Sequence, residues 1–135
     1  ALSSAASDVY KRQDMEYKEI ALITNDAKAI VISTYDLPYT VGLTTLVEAM
    51  ALGLPVITTD NMNYPIDVEV EKIGLKVPFG DINSWKKAIE YVAIHPKEAK
   101  TMGEAGRYLA ERIYNLEHFS SEVASCLLSV SDNSV

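Results

Sequence analysis

Apolar and polar positions change period several times along this chain, and each change marks an element. In EYKEIALITNDAK, Glu16 to Lys28, helical spacing sets Tyr17, Ile20, Ile23 and Ala27 on one face. AIVIST, Ala29 to Thr34, is short, β-branched and uncharged, the pattern of a buried strand. YDLPYTVG breaks the pattern with Pro38 and Gly42 and reads as loop. LTTLVEAMAL then returns to helical spacing, with Gly53 placed to close it. PVITTD, Pro55 to Asp60, is a second strand, and GLKVP, Gly74 to Pro78, a third. The polar NMNYPIDVEVEK between them has room for one helical turn. A helix over Ser84 to Ile94 turns Trp85, Ala88, Ile89 and Val92 inward, with Asp81 or Ser84 as its cap. Pro96 suits the first turn of the next helix, KEAKTMGEAGRYLAERIYN, and a last amphipathic segment spans Ser121 to Leu128.

Short uncharged strands alternating with helices predict an α/β domain, a Rossmann-like parallel sheet with helices on both faces. Only three strands are legible, so the sheet reads as truncated on its amino-terminal side. The strand Ala29 to Thr34 or its neighbour would then present an unpaired apolar edge, and the chain would be marginal in solution and prone to associate. With 135 residues, 48% of them hydrophobic, the chain has the size and composition of one domain. ALSSAASDVYKRQ, Ala1 to Gln13, is small and polar and reads as a non-native or disordered lead-in. The domain itself is expected over 14–130, followed by a polar tail over 131–135.

Twelve basic against nineteen acidic residues give a formal net charge of -7. No basic run offsets this, so neither nucleic acid nor an anionic membrane is an expected partner. A single cysteine, Cys126, allows no internal disulfide and fits a reducing, cytoplasmic setting; it reads as a small packing residue. No apolar run approaches the roughly 20 residues of a membrane span.

Candidate chemistry gathers at the loop that leaves the first strand. In an open parallel sheet, ligands bind beyond the carboxyl ends of the strands. Gly42 lets backbone come close to a ligand, and the N–H groups of Leu43, Thr44 and Thr45 open a helix whose positive end suits a phosphate. Glu48 stands about one turn further on, where a carboxylate can accept two hydrogen bonds from the vicinal hydroxyls of a ribose. A purely structural reading competes with this one. Thr45-x-x-Glu48 has the spacing of a capping box, which needs no ligand. Asp36 upstream reads as a turn residue. Thr58, Thr59 and Asp60 end the second strand on the same edge; they either line a pocket or, for Asp60, cap the next segment. Asp67, Glu69 and Glu71 read as a solvated acidic stretch without the oxygen geometry of a metal site. His95 and His118 lie beside no nucleophile and read as structural.

VGLTTLVEAMALGLPVITTD, then GLKVPFGDINSWKKAIEYV, then MGEAGRYLAERIYN resemble, in that order, the carboxy-terminal domain of GT-B glycosyltransferases of the glycogen-synthase-like, family-four type. The resemblance covers about Tyr17 to Leu128. It implies retaining transfer of a sugar from a nucleotide-sugar donor, UDP- or GDP-linked, with no metal and no cofactor. Glu48 matches the second of the family's paired glutamates, which holds the donor ribose; Gly42 and Leu43 match the turn whose amides meet the phosphates, with Thr44 beside them. Thr40 stands where the first glutamate, the one facing the sugar, is expected, and this departure leaves the sugar open. By the same resemblance the acid–base groups, the basic diphosphate clamp and the site for a sugar or lipid-linked acceptor belong to parts of the protein upstream, including an amino-terminal domain. No catalytic residue is therefore assigned here, and the chain alone is expected to be inactive, cytoplasmic, and at most peripheral to the inner face of a membrane. The competing function is a non-catalytic nucleotide or nucleotide-sugar binding module, which Thr40 favours. A receiver-like signalling domain is disfavoured for want of an acidic pair and a phospho-acceptor aspartate.

Overall fold

The computed structural model describes residues 14–35 and 38–132; the lead-in expected over Ala1 to Gln13, the turn residue Asp36 and residues 133–135 lie outside it. The elements run α1 (Tyr17–Asn25), β1 (Ile30–Ile32), α2 (Leu43–Leu52), β2 (Val56–Thr59), β3 (Gly74–Val77), α3 (Ile82–Ile94), α4 (Pro96–Arg112) and α5 (Leu116–Asp132). The three strands form one parallel sheet in the order β1-β2-β3, with Ile30 opposite Val56 and Val56 opposite Gly74. Every residue of β2, the central strand, is buried.

Alternation along the strands divides the core into two clusters. Ile32 and Val56 join Leu46, Ala49 and Met50 of α2 and Ala110 of α4. Ile57 and Val77 face the other way, toward Val92, Trp85 and Ala88 of α3 and Ala99 of α4. Leu46 and Met50 are fully shielded, and each such side chain stabilises the fold by about 1.5–3 kcal/mol. The close approach of α4 to the end of α2 depends on glycine. A Cβ on Gly103 would lie 1.9 Å from the Gly53 carbonyl oxygen. Gly53 itself ends α2 in the left-handed conformation, φ 69°, and its N–H and that of Leu54 return to Met50 and Ala49.

Several expected faces are rotated or uncovered. Ile89 is 48% exposed, because α3 seats its 85, 88 and 92 positions on the sheet and carries Ile89 past the contact. Ile20 and Ile23 of α1 are nearly half exposed, since little packs against that helix among the described residues. Cys126 is exposed rather than packed, for the same reason along α5, whose side chains through Val130 all lie exposed. The helix expected over Ser121 to Leu128 is longer at both ends, reaching Asp132. Among the described residues no helix is long and apolar enough to cross a membrane.

Candidate functional site

The connection from β1 to α2 reaches the helix through a turn fixed from below by the loop after β2. Thr40 donates its hydroxyl to the Asn63 carbonyl, and the Tyr64 hydroxyl donates to the Val41 carbonyl at 2.6 Å. Gly42 comes next with φ 82°, and a Cβ there would stand 2.7 Å from Ile32 Cγ2 and 2.9 Å from the Tyr64 hydroxyl. The glycine is thus required by backbone conformation and by protein packing. Its missing side chain faces Ile32 and Tyr64, so what the turn offers a ligand is its amides.

Those amides are open. Gly42 is the N-cap of α2 and no side chain caps it; the first helical bond runs from Leu46 N–H to the Gly42 carbonyl at 3.0 Å. The N–H groups of Leu43, Thr44 and Thr45 have no partner among the described residues. The capping box fails for a geometric reason: the helix begins at Leu43, so Thr45 is already inside it and cannot serve as its cap.

Glu48 is partly buried, and no described residue bonds its carboxylate. It lines a cavity of about 170 Å³ between α1 and α2, with Ile20, Ala21, Thr24, Ala51 and Leu52. The i, i+4 relation puts Glu48 on the same helical face as Thr44, one turn from the start of α2. The Thr24 hydroxyl is already committed to the Ile20 carbonyl at 2.6 Å. The lone carboxylate in an apolar stretch is thus partly buried, with no hydrogen-bond partner among the described residues.

The remaining carboxyl-edge residues are largely committed to the protein. Thr59 accepts the Thr34 N–H at 2.9 Å and donates to the Thr34 carbonyl at 3.3 Å, closing the end of β1. Asp60 caps no helix. It pairs with Lys76 at 3.5 Å, and Asp67 takes the same ammonium at 2.8 Å. With Thr58, Thr59, Asn61 and Tyr64, these three charged residues line a second cavity of about 170 Å³. Into this region falls Asn61, whose Nδ2 is buried without a partner. The hydrogen bond from Lys76, with those from the Val70 and Glu69 amides, holds the Asp67 carboxyl below its ordinary value, and Asp67 in turn raises Lys76. Glu69 accepts the Lys76 backbone N–H, so two of the three acids in the expected solvated stretch hold β3 in place.

Sequence reasoning misses Lys76. The signal for it is a lysine in the middle of a short apolar strand, which requires an acidic partner nearby. His95 stacks on Tyr91 with ring centroids 4.2 Å apart, and His118 is exposed. Among the described residues no cluster of three or more His, Cys, Asp or Glu is arranged to hold a metal ion. A groove of about 630 Å³ lies at the amino end of β3 beside Tyr91 and Met102, at the opposite end of the sheet.

Comparison with known proteins converges on one family. A family model described as "Glycosyl transferases group 1" matches residues 6–108. The D-inositol 3-phosphate glycosyltransferase of Saccharomonospora viridis is 35% identical over 71 residues, which are 53% of this chain and 16% of that protein. The structure of sucrose-phosphate synthase from Thermosynechococcus elongatus superposes with a TM-score of 0.74 at 27% identity, covering 89% of this chain and 29% of that one. The chain thus spans under a third of the length of either relative. A parallel three-strand sheet with flanking helices, the match over 6–108 and both relatives together make this chain a member of the group 1 glycosyl transferases, of the GT-B class with a Rossmann-like fold.

Proposed function

We propose that this chain is the donor-binding part of a retaining glycosyltransferase, with the diphosphate of a UDP- or GDP-sugar on the Leu43, Thr44 and Thr45 amides and its ribose on Glu48. The observation that carries this reading is the uncapped start of α2, three unpartnered N–H groups with an unpartnered carboxylate one turn along the same face. Helix N-termini attract phosphate through both the free N–H groups and the positive end of the dipole. The same donors would stabilise negative charge that grows on the nucleoside diphosphate as the sugar departs. Gly42 and Thr40 act beneath the ligand, fixing the turn. The reaction requires neither metal nor cofactor on this reading. The acceptor, a sugar or a lipid-linked glycan, would be held by an amino-terminal domain of the complete protein. The chain alone would be inactive, and its setting cytoplasmic, at most peripheral to a membrane.

One feature favours a second reading. Thr40, in the position of the sugar-facing glutamate, donates its hydroxyl to Asn63 and carries no charge. A binding module that holds a nucleotide sugar without transferring it would tolerate this. In the complete protein, release of sugar from a panel of donors, with water or a glycan as acceptor, separates the two: turnover supports the transferase, and tight donor binding without turnover supports the module. Glu48→Ala in the same protein is expected to weaken nucleotide-sugar use sharply while leaving the fold intact. Unchanged donor affinity would remove the ribose role.

A further inference from the structure

On the α3 side of the same carboxyl edge lies a cavity of about 310 Å³ that the donor reading does not use. It is lined by Ser33, Thr34 and Tyr35 after β1, Thr59 at the end of β2, Phe79 after β3, and Trp85 of α3. Three aromatic rings therefore come together from three separate segments. Tyr35 is 77% exposed and Phe79 55%.

The Thr59 hydroxyl is committed to the Thr34 backbone, but the other polar side chains of this cavity have no partner among the described residues. Thr34 Oγ1 is shut off from solvent and has no hydrogen-bond partner. An orphaned buried hydroxyl in a folded chain calls for an explanation. Its backbone is not the cause of its isolation, since the Thr34 N–H and carbonyl are both held by Thr59. The Ser33 and Tyr35 hydroxyls and the Trp85 indole N–H likewise have no partner among the described residues. No residue lining the cavity carries a charge, in a chain of net charge -7.

These features select a ligand class by elimination. An anion would find no cation, and a purely apolar ligand would leave the hydroxyls and the indole N–H unpaired. A neutral ring with an apolar C–H face and several hydroxyls satisfies both the aromatic faces and the polar groups. We infer that this cavity binds a neutral pyranose ring. The inference goes beyond the donor reading and does not depend on it, because it shares neither the α2 amides nor Glu48.

Trp85 is the chain's one tryptophan, so its fluorescence reports on this cavity alone. The full chain is titrated with methyl α-glucopyranoside, α-mannopyranoside and α-galactopyranoside, each to about 10 mM, the range of weak single-site binding. At least one is expected to change Trp85 emission saturably. Tyr35→Ala and Thr34→Val should each weaken that binding by about fivefold or more, the effect of losing one ring contact or one hydrogen bond. Both variants keep the fold, as Tyr35 is exposed and Thr34 Oγ1 bonds nothing; unchanged far-ultraviolet circular dichroism verifies this. Glu48→Gln should leave pyranoside binding unchanged, and a loss there would mean the sugar sits in the donor site. No saturable change with any of the three pyranosides, or binding that survives both cavity variants, overturns the inference.

Discussion

Two helices in this molecule begin in the same place, at the carboxyl edge of the sheet, and end up electrically different. At the start of α3, Asp81 accepts the Ser84 N–H at 3.0 Å and the Ser84 hydroxyl at 2.7 Å, and these bonds depress the Asp81 carboxyl. At the start of α2 the N-cap is Gly42, no side chain returns, and three amides stay open. One terminus satisfies its own donors, and the other leaves them for something else. A folded protein satisfies most of its helix ends, so the open one is the better place to seek a ligand.

Gly42 gives the largest expected effect. Gly42→Ala places a Cβ 2.7 Å from Ile32 Cγ2 in a left-handed backbone and is expected to destabilise the fold by about 3 kcal/mol or more in urea titration. Gly80 makes the matching control. Its φ is +75° but nothing stands within 4 Å of a Cβ, so Gly80→Ala should lose only about 1–2 kcal/mol. Equal losses at the two glycines would show that packing beneath the α2 turn contributes nothing.

Glu48→Ala comes next in size. It should weaken binding of a nucleoside diphosphate by about tenfold, as expected for charge-assisted hydrogen bonds of about 1.5–3 kcal/mol. Stability should move by no more than about 0.5 kcal/mol, because no described residue bonds that carboxylate. The reverse pattern belongs to α3. Asp81→Ala should destabilise by about 1 kcal/mol through loss of its cap and leave nucleotide binding untouched. A capping variant that also weakened nucleotide binding would blur the distinction between the two helix ends.

The smallest effect is that of pH. Asp67 and Asp81 titrate lower in the folded chain than they would unfolded, so their stabilisation is present above about pH 4 and is lost as pH falls through their folded values. Lys76 titrates higher when folded, so its share is complete below about pH 10 and fades as pH rises through the folded value. Thermal unfolding should therefore be flat across neutral pH and decline at both extremes. Lys76→Met should reduce the decline on the alkaline side and part of that on the acid side.

A second contrast concerns what the chain covers and what it leaves bare. Val56 and Ile57 on β2 are shielded on both faces, whereas Val31 on the outer strand is 48% exposed and Phe119, Leu127 and Leu128 on α5 are all above 60%. Unpaired strand edges and apolar helix faces favour association. Sedimentation of the chain should show mass rising with concentration. A monomer with a sharp, concentration-independent unfolding transition would contradict this.

The elements are readable because β-branched, uncharged runs such as VIT admit few alternatives to a central strand, and because Gly53 marks the end of α2 in any packing. Which way a helix faces is less readable. Ile89 has the spacing of a core residue, but a narrow sheet gives α3 a seat only for 85, 88 and 92. Cys126 and its apolar neighbours on α5 share the pattern of a core helix, and nothing local reveals that no described element lies over them. At the site, Thr45 and Glu48 allow two readings until the start of α2 is known, a matter of one backbone dihedral at Gly42. Lys76 is hidden because Asp60 and Asp67 reach it only through the order of the strands.

The most direct test of the donor site tracks backbone amide resonances while UDP or GDP is added to the chain. Saturable shifts are expected at Leu43, Thr44 and Thr45 and none at Ser84, with a binding curve that Glu48→Ala moves to weaker affinity. Shifts centred on other residues, or a curve unchanged by Glu48→Ala, would contradict the donor-site reading.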